Sequence, residues 1–386
     1  MPRRSTLAVD PRFGAEVRRL REAAGLSLRP LAASVFVSRA QLSKIELGTA
    51  RPTVALARLL DAELRAGGQL TAMVTDTTAV LTPDTKDRLR YAAAHPRQAD
   101  SRAIDGLDIL LVGQRRLEDA LGAAAVIDPV REQLGLVLML VGDSRDDVRP
   151  RLVNTASQWA QFAGWLHAAV DDRAGARTWF DRALEWATEV DNRDMIATIL
   201  SFKGYLAEGT GELGSMVGLS QAAQRDPSVY AGQRAYSAGQ EARALAMVGG
   251  DPGAVLSKVS EAEELAHRQG EREAPPWIYF YTDDFFRLQR GIVYRCLGAT
   301  RPQYNEPAVE LLTEGVAGLS AESQSTDWGG TYLCDLAIAQ GQSGDLASAR
   351  DALTRARAIG TAMRSQRLLD RVDGAVHRFQ LSMDRT

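Results

Sequence analysis

Cysteine and histidine are scarce in this sequence of 386 residues, which contains two Cys and four His. Cys296 and Cys334 lack the spacing of a metal-binding or redox motif, and the histidines lie far apart along the chain. We therefore expect no metal site. Both cysteines are predicted to be reduced core residues of a cytoplasmic protein.

Long apolar runs and strand-like alternation are lacking as well. No apolar run approaches the roughly 20 residues that a membrane-spanning helix needs, and the first residues lack the apolar stretch of a signal peptide. The aliphatic content is mostly Ala and Leu, which favour helices. The sequence therefore predicts an all-α protein without a membrane segment.

Motifs for catalysis are also missing. Residues 209–214 fit the GxGxxG pattern, but no apolar strand precedes them, which argues against a dinucleotide site. Asp283 and Asp284 are adjacent, so on a helix their side chains point about 100° apart. His167 lies on an apolar helix face and is expected to be a satisfied core residue. We expect no cofactor and no enzymatic activity.

The sequence does contain a basic N-terminal segment. Residues 1–75 hold twelve Lys or Arg and six Asp or Glu, whereas the whole chain has a net charge of −3. This asymmetry indicates a polyanionic partner for the segment. Apolar residues at helical spacing predict four short helices there. They begin near Phe13, after Ser27, after Ser38 and after Thr53, and Gly25 and Gly48 end the first and third.

The third of these helices has two distinct faces. Leu42 and Ile45 share one face and are expected to point into the core. Ala40, Ser43 and Lys44 lie on the opposite face, with Arg39 and Gln41 at its edges. Small residues beside long donors suit the major groove, where Arg and Lys donate to guanine and Gln pairs with adenine. We expect this face to bind double-stranded DNA.

The segment 25–53 resembles the Xre family of lambda-repressor-like helix-turn-helix domains. The matching positions are Gly25, Leu26, Ser27, Leu31, Ala32, Val37, Ser38, Leu42, Ser43, Ile45, Glu46, Gly48, Pro52 and Thr53. The resemblance implies that Arg39, Ala40 and Lys44 face base edges. It places Gln41, Ser43 and the turn around Arg51 and Thr53 at phosphates. Ser38 and Thr53 are helix caps first and phosphate contacts second, and Ser27, the cap of the second helix, is a further candidate DNA contact.

Two departures from the family pattern lie in the second helix. Leu28 stands where the family usually has a Gln that touches phosphate, and Arg29 is a candidate replacement. Pro30 is tolerable only because it falls in the first helical turn. Glu46 is predicted to be a structural partner of an arginine on the first helix, and not a DNA contact.

We predict an N-terminal tail at residues 1–10, a helix-turn-helix domain at 11–70, a linker at 71–86 and a helical domain at 87–386. Within the last region, polar turns near residues 209–211, 249–251, 297–299 and 344–345 separate pairs of helices at intervals of about 40–48 residues. This spacing resembles tetratricopeptide-like repeats that are longer than the usual 34 residues. The predicted architecture is a helix-turn-helix bundle followed by a helical-hairpin solenoid.

Two segments of the helical domain are candidate ligand sites. Residues 277–286 hold six of the 24 aromatic residues of the chain and are predicted to be helical. They form either a core helix with solvated charges or a pocket that includes Trp277, Tyr279, Tyr281, Asp283 and Arg287. A second candidate is a polar stripe that would clamp a peptide backbone or simply face solvent. This stripe consists of Asn154, Gln158 and Gln161.

The combination of the two domains resembles two groups of bacterial regulators, the peptide-sensing regulators of Gram-positive bacteria and the Xre-type regulators of actinomycetes. The Ala- and Arg-rich composition favours the actinomycete type. The resemblance implies a homodimeric transcription regulator that binds an operator at two half-sites about one helical turn apart. The helical domain would then sense a small-molecule or peptide effector. Alternatively, it is a scaffold for a partner protein.

Overall fold

The computed structural model describes residues 7–9, 13–35, 37–48, 50, 52, 54–64, 66, 70, 74–76, 82–145 and 147–381. The chain divides into two compact units, Met1–Pro83 and Asp84–Thr386. Both are built from helices, which confirms the predicted all-α class with its N-terminal bundle and C-terminal helical hairpins. The division falls inside the segment 71–86, which the sequence predicts to be a linker.

The first unit contains four described helices and a pair of short strands. The helices are α1 (Phe13–Ala23), α2 (Leu28–Ser34), α3 (Arg39–Glu46) and α4 (Val54–Glu63). Strand β1 (Leu7–Val9) pairs antiparallel with β2 (Val74–Asp76), with Leu7 opposite Asp76. The sequence predicts neither strand, because three residues are too few to show an alternating pattern.

A small apolar core holds the four helices together. It is formed by Phe13, Val17, Leu31, Ala32, Val35, Leu42, Ile45, Leu56, Ala57, Leu60, Leu64 and Leu70. Gly14 allows α1 to approach the end of α3, because a Cβ at this position would lie 2.4 Å from the carbonyl oxygen of Ile45. The spacing of apolar residues that predicted the helices therefore also identifies the core.

The second unit is an array of helical hairpins. Its helices are α5 (Pro83–Ala94), α6 (Ser101–Leu121), α7 (Ala123–Asp143), α8 (Arg149–Ala169), α9 (Arg173–Glu189), α10 (Arg193–Gly209), α11 (Leu213–Gln224), α12 (Ala231–Met247), α13 (Pro252–His267), α14 (Asp283–Gly298), α15 (Asn305–Gly318), α16 (Ala321–Gln324), α17 (Asp327–Gln342), α18 (Leu346–Ala362) and α19 (Gln366–Phe379). Each of the four predicted turns separates two consecutive helices of this series. The prediction of repeated helix pairs is confirmed.

One helix begins earlier than the sequence predicts. The sequence predicts a helix from roughly Pro129 to Val141. Instead, α7 begins at Ala123 and contains Pro129 in its interior. Gly122 precedes it with a φ of +83°, a value that favours glycine. A Cβ at Gly122 would also lie 2.8 Å from the carbonyl oxygen of Met363, so the first hairpin approaches the turn between α18 and α19.

The aromatic segment departs further from the prediction. Residues 277–282 form turns, and the helix begins only at Asp283. Thr282 caps this helix by accepting a hydrogen bond from the N–H of Phe285 at 3.2 Å. Pro275 and Pro276 precede the segment and disfavour helical backbone at residues 274 and 275, so no helix runs into the segment from its N-terminal side. The aromatic side chains therefore do not follow the helical faces that a period of 3.6 predicts. We call residues 272–282 the central strap.

Candidate DNA-binding surface and the inner face of the repeats

The recognition helix α3 presents the polar face that the sequence predicts. Ser38 caps it, with its hydroxyl accepting a hydrogen bond from the N–H of Gln41 at 3.1 Å. Leu42 and Ile45 are buried against the core. The exposed residues of the helix include Arg39, Ala40, Gln41 and Lys44, and Ser43 is half-buried. Long cationic and amide side chains beside small ones are therefore available to a groove of DNA.

A buried ion pair fixes this helix against α1. The Nε atom of Arg21 lies 2.6 Å from Oε1 of Glu46, and its Nη2 lies 2.9 Å from Oε2. The side chains are only 10% and 6% exposed. Arg21 also donates to the carbonyl oxygen of Leu26 at 2.9 Å. The prediction that Glu46 pairs with an arginine of the first helix is confirmed, and the bidentate geometry orients α3.

The other predicted DNA contacts lie at the start of α2 or outside the described residues. Ser27 is the N-cap residue of α2, but its side chain accepts no capping hydrogen bond. Ser27 and Arg29 are both exposed. Leu28 packs in part against the core, as its apolar side chain favours. Pro30 is the third residue of α2, within the first turn. Arg51 and Thr53 lie outside the described residues.

The first helices of successive hairpins share an aromatic surface in the second unit. Trp165 of α8 lies 5.8 Å from Phe202 and 6.0 Å from Tyr205 of α10, measured between ring centroids. Tyr236 of α12 stacks on Phe285 of α14 at 5.9 Å. We call the surface formed by α6, α8, α10, α12, α14, α17 and α19 the inner face. Of these aromatic side chains, Phe285 is buried and the others are half-buried.

The central strap binds to this inner face through side chains that are distant in sequence. Trp277 Nε1 donates to Thr198 Oγ1 at 3.0 Å, and the hydroxyl of Tyr281 donates to Gln233 Oε1 at 3.3 Å. The hydroxyl of Tyr279 donates to Asp119 of α6. The partners of the strap thus lie on three first helices, α6, α10 and α12. This arrangement makes the strap one wall of the inner face.

Ion pairs connect the C-terminal helices to the same face. Asp335 of α17 is buried between Arg295 of α14 and Arg371 of α19, with N–O distances of 3.0 and 2.6 Å. Arg367 of α19 pairs with Asp327 of α17 and donates to the hydroxyl of Tyr205 at 2.9 Å. These contacts connect α19 to α17 and α10, and α17 to α14.

The structure divides the predicted ligand residues into two groups. Trp277, Tyr279 and Tyr281 belong to the strap, and the stripe on α8 lies on the inner face. Gln158 and Gln161 are only 8% and 4% exposed, so the interpretation of the stripe as solvent-facing is wrong. They are buried because α8 packs between neighbouring hairpins. Asn154 accepts a hydrogen bond from Asn192 Nδ2 at 2.7 Å and is half-buried.

Asp283 and Arg287 lie elsewhere, at a cleft between α12, α13 and α14. The cleft has a volume of about 260 Å³. Its polar lining is paired within the chain, because Arg287 pairs with Asp284, and Arg290 pairs with Glu263. Asp283 accepts a hydrogen bond from Gln269 Nε2 at 3.3 Å. These two predicted residues therefore do not join the strap in one site.

Sequence reasoning missed two charged residues of the inner face, Arg115 and Glu118. Glu118 accepts a hydrogen bond from Trp165 Nε1 at 3.2 Å, and burial raises its pKa to about 8. Burial lowers the pKa of Arg115 to about 10. A signal was present, because the buried stripe of α6 continues at helical spacing into these two charges. The stripe begins with Ile104, Leu107 and Leu111.

The remaining candidates for chemistry have structural roles. Cys296 and Cys334 are free and buried, which confirms their prediction as core residues. His167 is mostly buried, and its Nδ1 lies 2.7 Å from Asp172 Oδ2, as expected for a satisfied histidine. The GxGxxG segment is the turn between α10 and α11. No helix within the described ranges has the length and apolar character to cross a bilayer.

The first unit is a helix-turn-helix domain. The family model described as a helix-turn-helix domain matches residues 12–73. No curated protein sequence shows significant similarity to the chain. Solved structures also resemble it, among them the following two. One is BtubC (BKLC) from P. vanneervenii, with 16% identity, a TM-score of 0.37, and coverage of 63% of this chain and 92% of that chain.

The second solved structure is PlcR of Bacillus thuringiensis in complex with the peptide PapR7 and DNA. It is 12% identical to this chain, with a TM-score of 0.30. The alignment covers 94% of this chain and 99% of that chain.

Proposed function

We propose that the chain is a sequence-specific DNA-binding transcriptional regulator of the Xre type, as found in actinomycetes, that acts in the cytoplasm. The observation that carries this proposal is the exposed face of α3. It presents Arg39, Ala40, Gln41 and Lys44 outward while Leu42 anchors the opposite side. A helix of this kind enters the major groove and reads base edges from its N-terminal half. Ser27, Arg29 and Ser43 contact phosphates in this proposal.

The proposed recognition residues are tested by changing Arg39 and Lys44 to Ala in the full chain. The operator is first selected from random duplexes with the unmodified protein. Each change is expected to cost about 1–3 kcal/mol of discrimination against mismatched operators, as measured by fluorescence anisotropy. Arg182→Ala, an exposed change on α9, serves as the control. Specific binding that survives both changes would refute the assignment of α3.

The helical domain is proposed to dimerise and to sense a small-molecule or peptide effector. The inner face supports the second role, because aromatic surface and a few oriented charges are typical of ligand sites. A homodimer would place two recognition helices on half-sites about one helical turn apart. Light scattering of the full chain tests the dimer. Titration of the operator complex with effectors that bind the protein tests sensing, and operator affinity that never changes would contradict it.

A further inference from the structure

Arg115 of the inner face is a buried cation, and one of its guanidinium nitrogens has no hydrogen-bond acceptor among the described residues. Arg115 of α6 is only 5% exposed, and its Nη2 atom is buried without any hydrogen-bond partner in the described part of the chain. Its guanidinium carbon lies 5.8 Å from the centroid of the Phe162 ring. A buried donor that lacks an acceptor is costly, so the position of this nitrogen calls for an explanation.

The carboxylates that lie nearest in the fold are bonded to other groups. On α6 they follow the same helical face as Arg115, at intervals of three, four and seven residues. None of them lies within ion-pairing distance of Arg115 among the described residues. The pairs are Asp108 with Thr155 at 2.8 Å, Glu118 with Trp165 at 3.2 Å, and Asp119 with Tyr279. The acidic groups beside the cation are therefore hydrogen-bonded to other side chains and not to Arg115.

The surroundings of Arg115 combine aromatic surface with accessible space. Phe162 and Trp165 lie one turn apart on α8, and the ring of Trp165 continues into the aromatic cluster of α10. Tyr279 of the strap is 51% exposed, so part of this aromatic surface is accessible, whereas Phe162 is only 4% exposed. An apolar or aromatic body would rest on these rings.

The charges around the cation favour a monoanion. Asp108 and Asp119 flank Arg115 on α6 and would repel a doubly charged phosphate more strongly than a singly charged carboxylate. Glu118 has a pKa of about 8, because burial disfavours its charged form, so it is largely neutral at pH 7 and able to donate a hydrogen bond. One cation and one neutral acid match a single carboxylate.

We propose that Arg115 binds the carboxylate of an effector whose apolar or aromatic body rests on Phe162, Trp165 and Tyr279. The planar guanidinium offers two parallel N–H donors to the two oxygens of a carboxylate. This site names the chemical class of the effector, and it rests on the sensing function proposed above. The carboxylate belongs either to a free organic acid or to the C-terminus of a peptide.

The test uses the full chain and two pairs of probes without DNA. Phenylacetate represents an organic acid, N-acetyl-Ala-Ala-Phe represents a peptide C-terminus, and their primary amides have the same bodies without the charge. At pH 7, calorimetric titration is expected to show that one acid binds at least about tenfold tighter than its amide. Arg115→Met should abolish this preference. Arg116→Met, at the adjacent exposed position, should retain it.

Thermal unfolding of the same variants separates a binding role from a structural one. Without any probe, Arg115→Met is expected to raise the midpoint relative to the unmodified chain, because it removes a buried charge for which the described residues supply no ion pair. The proposal is overturned if neither acid binds better than its amide, or if Arg115→Met lowers the midpoint more than Arg116→Met. Neither readout involves DNA, so failure here differs from loss of specific operator binding.

Discussion

At the residue scale, the buried pair of Arg21 and Glu46 links the stability of the first unit to its function. The two groups hold α3 against α1, and each is shielded from water. Removal of one partner leaves the other charged and buried, which is more costly than loss of the pair as a whole. The pair therefore determines whether the recognition face is held in one orientation.

We predict that Glu46→Gln lowers the stability of the helix-turn-helix domain by about 3 kcal/mol, because Arg21 loses its countercharge. Chemical unfolding followed by circular dichroism measures the loss, and operator affinity should fall with it. Glu63→Gln is the matched control, since Glu63 is an exposed glutamate at the end of α4. Equal losses in the two variants would show that burial of the pair has no special role.

Glu118 provides a prediction for pH dependence. Its pKa is raised to about 8, mainly by burial and next by Asp119, with Asp327 acting in the same direction. Arg367 and the hydrogen bond from Trp165 act in the opposite direction. The folded state holds the proton more tightly than the unfolded state. The contribution of this group to the free energy of unfolding is therefore complete at low pH and is lost as pH rises toward 8.

Glu118→Gln, which stays neutral, is therefore expected to gain stability over the unmodified chain as pH rises. The difference should be small near pH 5, grow by about 1.4 kcal/mol per pH unit, and level off above pH 8. Thermal midpoints of the two proteins between pH 5 and pH 8 measure this difference in stability. Glu132→Gln, an exposed change on α7, should show no such trend. A flat difference for Glu118→Gln would mean that its carboxyl titrates normally.

At the element scale, the ends of the repeat helices use the left-handed backbone conformation in two ways. Gly211, Gly249 and Gly344 adopt positive φ after their helices, as glycine allows. Asp191 and Arg364 adopt the same conformation with φ of 51°, although a side chain makes it unfavourable. The same turn is thus built with and without strain within one domain.

We predict that Arg364→Gly stabilises the helical domain by about 1 kcal/mol, because it removes the Cβ that is strained in this conformation. Gly344→Ala at the equivalent turn should destabilise it by a similar amount. Differential scanning calorimetry of the two variants measures both changes. Opposite signs are expected, and a loss of stability in both variants would contradict the explanation by backbone strain.

Most elements were predictable because helices of ten or more residues repeat their apolar spacing several times. Three features were not predictable. The strands of the first unit have only three residues each, and Pro129 lies within a helix although it resembles a start. The central strap contains aromatic residues that mimic a helical face, but its conformation depends on partners up to 160 residues away. Local patterns do not contain that information.

The same reasoning applies to the sites. The recognition face followed from the sequence, because Leu42 and Ile45 fix the rotation of one short helix. The inner face followed only in part, since its residues come from seven helices and meet through tertiary packing. Arg115 was overlooked because an arginine on a helix is usually solvated, and its burial depends on Phe162 of another hairpin.

At the scale of the whole molecule, the first and last hairpins of the repeat domain meet. Gly122 approaches the carbonyl oxygen of Met363, and the carboxylate of Asp119 interacts with Trp328 of α17 by a hydrogen bond. A simple solenoid has only nearest-neighbour contacts, so its repeats can unfold one after another. Contacts between the two ends add a connection that such an array lacks.

We predict that Gly122→Ala lowers the thermal midpoint of the entire repeat domain, because the new methyl group meets Met363 and the left-handed backbone becomes strained. Circular dichroism of the full chain measures it. Gly113→Ala is the control, since a Cβ in that helix meets nothing within 4 Å and should be neutral or slightly stabilising. A local change in hydrogen exchange without a shift in the midpoint would contradict the prediction.

The approach of Gly122 to Met363 also bears on how such a chain can change during evolution. An open array gains or loses a repeat by duplication or deletion with little effect on the others. Here an added hairpin would separate the first and last hairpins and break the contacts between them. Relatives with the same closure are therefore expected to keep the number of hairpins constant. Their length differences should be concentrated in the turns and in the segment that contains the central strap.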